Sequence, residues 1–134
     1  MAGFSDYLEN KLLDLVFGST AYSIPATIYL GLSVGDPTDA GTLTGEPSGS
    51  AYARISVTNN TTNFVNSSDG VKLNGVTFTF PRATGAWGTV THFFISDATT
   101  VGNMLASGAL TESKAITSGD TINFLAGSIT ITLD

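Results

Sequence analysis

The chain has 134 residues, of which 42% are hydrophobic and only 12% are charged, and its formal net charge is −6. About a quarter of the residues of an average soluble protein are charged, so this surface must consist largely of uncharged polar residues. Such a surface is easily desolvated, which suits contact between subunits, but it also fits a stable β-protein with a polar coat. The few Lys and Arg residues are scattered, which argues against nucleic acid as a partner.

Length and residue types narrow the possibilities further. The length fits a single domain over residues 1–134. The absence of cysteine excludes disulfides and thiolate metal sites. No stretch approaches the roughly twenty apolar residues of a membrane span, and the apolar run after Leu12 is interrupted by Asp14, unlike that of a secretory signal. We therefore expect neither a membrane partner nor a targeting segment.

The first predicted element is a helix over residues 4–18. Ser5 is placed to cap the free N–H groups of the first turn, and Gly18 is placed to end the helix. Apolar residues recur at helical spacing, at Phe4, Leu8, Leu12, Leu15 and Val16. This apolar face is expected to pack either on the protein's own sheet or on a neighbouring subunit.

Two strands joined by a long loop come next. Ile28, Leu30 and Leu32 alternate with less apolar residues, which predicts a half-buried strand. The loop over residues 34–51 exceeds the usual connection length, which indicates that it is either functional or disordered. Arg54 follows among apolar strand residues, where an unpaired charge would be costly. We expect Arg54 to hold the loop against the sheet through Glu46; alternatively, Arg54 lies at a subunit interface.

The remaining chain predicts more short strands separated by glycine-rich turns. Residues 90–95 are apolar almost without alternation, which is typical of a central strand buried on both faces. Residues 128–133 alternate, with Ile129, Ile131 and Leu133 expected to point inward. Residues 24–134 thus predict an all-β fold, a single antiparallel β-sandwich of roughly eight strands, jelly-roll-like, preceded by one N-terminal α-helix. The strand order stays open.

Few residues suggest a catalytic or metal-binding site. His92 is the single histidine, and Asp97 lies too far along the same predicted strand to form a catalytic pair with it. Oxygen ligands from Asp36, Asp39 and Glu46 could hold Ca²⁺, although solvated loop acids are the commoner case. We therefore expect no enzymatic activity, no resident metal and no cofactor.

A set of short motifs spans nearly the whole chain. These are Tyr7-Leu8-Glu9-Asn10, Leu12, Leu13, Ile28–Ser33, Asp36-Pro37, Gly41, Glu46-Pro47, Tyr52-Ala53-Arg54, Asn74, Phe80-Pro81, Gly85-Ala86-Trp87-Gly88, Gly119-Asp120 and Ala126-Gly127. With them the chain resembles a family of small structural proteins of tailed bacteriophages, labelled tail-fibre or minor-capsid proteins. The resemblance implies a virion component without enzymatic activity, assembled in the bacterial host cytoplasm. It leaves the position in the particle open.

Three functional hypotheses are compatible with these features. The first is a capsid decoration or cement protein, which binds the outer face of the head and bridges shell subunits. Its partners would be the major capsid protein and copies of itself, with a trimer as one expected assembly. The second is a tail-fibre, tail-tip or baseplate component that contacts the host or other tail proteins. The third is a carbohydrate-binding or hydrolytic module, which rests only on Tyr29, Tyr52 and Trp87.

The predicted partner contacts lie on the helix, in and after the long loop, and in the glycine-flanked aromatic motif. They are Phe4, Tyr7, Leu8, Lys11, Asp36, Asp39, Glu46, Tyr52, Arg54 and Trp87. For Trp87, packing in the core is the alternative role.

Overall fold

The computed structural model describes residues 2–133 of the chain. Within this range there are one helix and nine strands. In chain order they are β1 (Ala2–Phe4), α1 (Asp6–Gly18), β2 (Thr27–Ser33), β3 (Ile55–Thr58), β4 (Val71–Leu73), β5 (Phe78–Thr79), β6 (Gly88–Ser96), β7 (Met104–Ile116), β8 (Asn123–Phe124) and β9 (Thr130–Thr132). The predicted all-β fold with one N-terminal helix is therefore confirmed.

The arrangement of the strands differs from an antiparallel jelly roll. Seven strands form one sheet in the order β3-β2-β6-β7-β1-β9-β4, and β5 pairs with β8 in a small second sheet. The large sheet is mixed, because β1 runs antiparallel to β7 but parallel to β9. The parallel pair arises because the first residues of the chain enter the sheet between β7 and β9.

The helix begins later than predicted. Phe4 belongs to β1, and Ser5 is the N-cap, whose side chain accepts a hydrogen bond from the Leu8 N–H. The helix ends at Gly18, as predicted, but the residue that adopts the left-handed conformation there is Ser19, with φ 53°. Its backbone N–H donates to the Asp14 carbonyl oxygen, which satisfies one of the free carbonyls of the last turn.

Strand β6 lies in the interior of the large sheet, where it pairs with β2 on one side and with β7 on the other. Phe93 and Ile95 point into the main core, whereas Phe94 points to the opposite face, and all three are buried. This confirms the prediction of a central strand buried on both faces. The main core continues as a row of aromatic contacts with ring centroids 5.2 to 6.5 Å apart, through Phe93, Phe124, Phe80, Trp87 and Tyr52.

The loop over residues 34–51 covers the face of the sheet that carries Phe94. Its backbone is ordered by its own hydrogen bonds, such as Val34 N–H to the Gly45 oxygen at 2.9 Å, and Pro37 within it is fully buried. The Asp6 N–H also donates to the Asp39 oxygen at 2.9 Å, so the loop is bound to the start of α1. The loop is therefore a packed cover rather than a disordered connection.

Candidate interaction surface

The predicted pair of Glu46 and Arg54 is present. The Arg54 Nε lies 2.7 Å from Glu46 Oε2, and its Nη2 lies 2.8 Å from Glu46 Oε1, so the contact is bidentate. The remaining Arg54 nitrogen, Nη1, donates to the carbonyl oxygens of Ala98 at 2.6 Å and Val101 at 3.0 Å. Bidentate pairs are geometrically specific as well as strong. Arg54 thus joins the long loop to the β6–β7 loop.

Tyr52 extends this network toward the core. Its hydroxyl donates to Glu46 Oε2 at 2.7 Å and accepts from the Leu32 N–H at 3.0 Å. Burial raises the pKa of the Tyr52 phenol well above its usual value, and the hydrogen bond to Glu46 acts in the same direction. The phenol therefore stays neutral and keeps both hydrogen bonds at physiological pH. Glu46, Tyr52 and Arg54 together are named the loop clamp below.

Two predicted contacts have internal partners instead of facing outward. The side chain of Arg54 is only 2% exposed, and its guanidinium lies 4.9 Å from the centre of the Phe94 ring. Trp87 is buried in the main core, and its Nε1 donates to the Ser50 oxygen at 2.9 Å. Both side chains therefore hold the last third of the long loop, Arg54 through Glu46 and Trp87 through the Ser50 carbonyl, and of the two roles considered for Trp87 the structure shows core packing.

Asp36 and Asp39 lie on the exposed side of the long loop. Asp36 Oδ1 accepts from the Thr38 N–H at 2.9 Å and lies 3.8 Å from His92 Nε2. Glu46 is directed away into the loop clamp. Among residues 2–133 no group of three acidic or histidine side chains is placed to hold a metal ion. The three acids considered as calcium ligands are thus not brought together.

An apolar groove lies between one flank of α1 and the large sheet. Its larger part has a volume of about 380 Å³ and includes Lys72 among its lining residues. Its smaller part, of about 240 Å³, continues along the helix and contains Glu9. The two parts share Phe4, Leu12 and Leu133 and are together named the helix groove. The apolar residues lining the larger part are Phe4, Leu8, Leu12, Ile28, Phe64, Ile95, Leu105, Ala106, Ile131 and Leu133.

The helix is only partly supported by the sheet. Tyr7 and Leu8 in its first turn pack against the main core, but no residue of α1 is fully buried. In its second half Leu13 is 56% exposed, Val16 is 65% exposed and Phe17 is 83% exposed. These three residues, named the helix ridge, also line the smaller part of the helix groove. The predicted packing of the helix on its own sheet therefore holds for the first half of the helix alone.

The chain matches the model of a bacteriophage protein family. A family model described as podophage GP4 fiber I protein gp80 matches residues 3–132. The chain belongs to this family. No curated protein matches it. The resemblance to small tail-fibre proteins of tailed phages is thereby confirmed, and the fiber I family is one of structural proteins that form part of the virion.

In this member of the fiber I family, the predicted contact residues fall into four places: the N-terminal strand and helix, the loop clamp, the exposed side of the long loop, and the core. Phe4 and Leu8 line the helix groove, whereas Lys11 lies over the ring of Tyr7, 5.6 Å from its centre. Three more predicted contact residues form the loop clamp. The two aspartates, Asp36 and Asp39, lie on the exposed side of the long loop, and Trp87 lies in the core.

Helical spacing predicts packing for Val16, and strand alternation predicts that Leu133 points inward, but Val16 is 65% exposed and Leu133 is 68% exposed. The exposed helix ridge as a whole was not predicted. The signal was available in the second half of α1, where apolar residues occur on more than one side of the helix. Among residues 2–133, no helix is long and apolar enough to cross a membrane.

Proposed function

We propose that this chain is a non-enzymatic structural subunit of a phage tail fibre and that it acts by binding other protein subunits. The observation that carries the proposal is the match of residues 3–132 to the fiber I family. This match favours the tail-fibre hypothesis over head decoration, which the sequence alone had placed first. It offers no support for a carbohydrate-binding or hydrolytic module.

The geometry supports a role in adhesion. The buried side-chain nitrogen and oxygen atoms of residues 2–133 all have hydrogen-bond partners. In the loop clamp these partners are side chains and carbonyls of neighbouring loops, an arrangement that holds loops in place. The helix groove and helix ridge, by contrast, present apolar surface to the outside, and contiguous exposed apolar surface is typical of contacts between proteins. The partners would be copies of the chain itself and other tail proteins.

The position in the particle is tested by copy number and labelling. We expect quantitative mass spectrometry of purified virions to give a copy number close to that of the tail proteins and far below that of the major capsid protein. Gold-labelled antibody against the purified chain should mark the fibres in negative-stain images. A copy number in proportion to the shell protein, with label over the head, would instead support capsid decoration. Absence from purified virions would contradict both hypotheses.

A further inference from the structure

The larger part of the helix groove is lined by residues from three parts of the chain. The large sheet contributes apolar side chains from β2, β6, β7 and β9, and among them Ile28, Ile95 and Leu105 belong to the main core. Leu8 and Leu12 of α1 form a second side. The third side comes from the connection between β3 and β4 and from β4 itself, with Asn59, Phe64, Ser67, Gly70 and Lys72. This part of the groove is therefore a three-sided concavity rather than a flat apolar face.

The curvature of the large sheet produces this concavity. Strands β2 and β4 are five steps apart in the strand order. In a flat sheet they would lie roughly 24 Å apart, at about 4.8 Å per strand. Ile28 of β2 and Lys72 of β4 nevertheless line the same space of about 380 Å³. The chain after β3 also closes on β4, where the Val65 N–H donates to the Leu73 oxygen at 3.1 Å. The groove is thus the mouth of a curled sheet, a position at which proteins commonly bind small molecules.

One charged side chain lines this part of the groove. Lys72 is half-buried and lies directly opposite Ile131 in the β4–β9 pair, which places both side chains on the same face of the sheet. Among residues 2–133, no Asp or Glu lines this space, although the formal net charge of the chain is −6. Within the same residues Lys72 forms no ion pair. The electrostatics of the groove therefore favour a ligand that carries one negative charge.

The rest of the lining decides the kind of ligand. A peptide segment would bring backbone N–H and C=O groups, which are costly to bury without hydrogen-bond partners. Apart from Lys72, only Asn59 and Ser67 offer polar side chains here. The outer edge of β4 is also occupied, because the Val71 and Leu73 carbonyl oxygens already accept hydrogen bonds from the preceding connection. An alkyl chain needs no such partners and fits this lining better than a peptide does.

We propose that the larger part of the helix groove is a binding site for a free fatty acid. The alkyl chain lies on the apolar lining, and the carboxylate lies at the Lys72 ammonium group. The volume of about 380 Å³ is at the lower end of the range of small-molecule sites, about 300 to 1000 Å³, which suits a single chain. The helix ridge lines only the smaller part, so contacts between subunits through the ridge are compatible with this ligand.

The location of the ligand is tested by NMR on the purified full-length chain with labelled isoleucine methyl groups. Dodecanoate is the probe, added below the concentration at which it forms micelles. The methyl signals of Ile28, Ile95 and Ile131 should shift as dodecanoate is added, because these residues line the groove. The signals of Ile116 and Ile122 should not shift, because both lie in the main core outside this lining. Dodecyltrimethylammonium has the same alkyl chain with the opposite charge and should bind more weakly.

A charge reversal tests the role of Lys72. Lys72→Glu should weaken dodecanoate binding by about three- to tenfold, as expected for a partly exposed ion pair, and should strengthen binding of dodecyltrimethylammonium. Lys114→Glu is the matched control, because Lys114 is exposed on β7 outside the groove and makes the same change in net charge. Its affinity for both probes should equal that of the wild type.

Four results would overturn the proposal. They are no binding of dodecanoate, shifts confined to isoleucines outside the groove, equal affinity of the wild type for the two probes, and equal weakening by Lys72→Glu and Lys114→Glu. Cosedimentation with phosphatidylglycerol vesicles without binding of free dodecanoate would also overturn it and would assign the groove to a membrane lipid. The copy number and labelling of virions do not depend on these results, so the proposed function stands or falls separately.

Discussion

Gly31 shows how a missing side chain shapes this protein. It lies directly opposite Phe94 in the paired strands β2 and β6. A Cβ placed on Gly31 would come within 2.2 Å of the Phe94 ring, so the ring occupies the space that a side chain would need. The guanidinium of Arg54 covers the ring 4.9 Å from its centre. In the alternating pattern of β2, Gly31 is therefore a buried position and not a solvent-facing one.

Gly31→Ala tests this close packing. We expect the free energy of unfolding to fall by about 1–3 kcal/mol, because an added methyl group forces either the Phe94 ring or the backbone to move. Urea denaturation followed by tryptophan fluorescence measures the change. Gly35→Ala is the control, since a Cβ there has no neighbour within 4 Å. Equal stability of the two variants would show that the ring adjusts freely and that Gly31 is not required.

The buried side chain of Asn74 makes hydrogen bonds that the sequence pattern does not predict. It is buried, donates to the carbonyl oxygens of Val76 and Leu125 at 2.9 Å, and accepts from the Ile129 N–H at 2.9 Å. The adjacent Gly75 packs against the Thr62 carbonyl oxygen, which leaves no room for a Cβ. The main role of Asn74 is to join the β4–β5 connection to the segment before β9.

At the scale of whole elements, the long loop is fixed to three neighbours. It is bound to the start of α1 through Asp39, and the loop clamp binds it to β2 through Tyr52 and to the β6–β7 loop through Arg54. Because Arg54 also binds the Ala98 and Val101 carbonyls, the two loops at this end of the molecule are expected to loosen together.

Arg54→Met should release both loops. Removing one partner of a buried ion pair leaves the other charge uncompensated, and we expect a loss of about 3–5 kcal/mol in the free energy of unfolding. Limited proteolysis with mass spectrometry should show new cleavage within residues 34–51 and 97–103. Arg82→Met is the control, since Arg82 is exposed and makes one 3.2 Å hydrogen bond to the Gly119 oxygen. Unchanged protection of both loops would refute the coupling.

The elements differ in how far the sequence alone predicts them. Strands β2 and β6 are predictable because apolar alternation or an apolar run reports burial directly. The three residues of β1 are not, since Phe4 also fits the helical spacing that continues to Leu8. The parallel pairing of β1 with β9 joins residues far apart in the chain, for which no local pattern exists.

The same contrast applies to the candidate site. The pair of Glu46 and Arg54 is predictable from the cost of an unpaired charge in an apolar strand, and the structure contains it. The carbonyls that bind Arg54 are backbone atoms of a distant loop, which no residue type reveals. The helix ridge was not predicted because helical spacing shows an apolar face but not how far the sheet extends beneath it, and only the first half of α1 packs against the core.

For the molecule as a whole, Tyr52 connects the two packed regions. Its ring meets Trp87 edge-to-face at 5.2 Å in the main core, while its hydroxyl belongs to the loop clamp on the other side. The packing of the core and that of the long loop are therefore expected to depend on the same titratable group, the Tyr52 phenol. The free energy of unfolding should then depend on pH through this group.

Burial raises the pKa of Tyr52 in the folded protein, so the folded state keeps the phenol proton at pH values where the unfolded chain releases it. The unfolded phenol titrates at about pH 10. The stabilisation from Tyr52 is thus fully present below pH 10, and above it each pH unit should lower the free energy of unfolding by about 1.4 kcal/mol through this group.

Tyr52→Phe isolates this contribution. At pH 8 the variant should be less stable by about 1–3 kcal/mol, because the Leu32 N–H loses its side-chain acceptor and the Glu46 carboxylate loses one of its hydrogen bonds, keeping those from Arg54. Above pH 10 the free energy of unfolding of the wild type falls because the unfolded chain releases the Tyr52 proton, and the variant has no such group. The difference in free energy of unfolding between the two proteins should therefore shrink as the pH rises to 11. Guanidinium denaturation of both proteins at pH 8, 10 and 11 measures it. A difference that stays constant over this range would mean that Tyr52 ionises as readily in the folded protein as in the unfolded chain, which its burial beneath the loop cover should prevent.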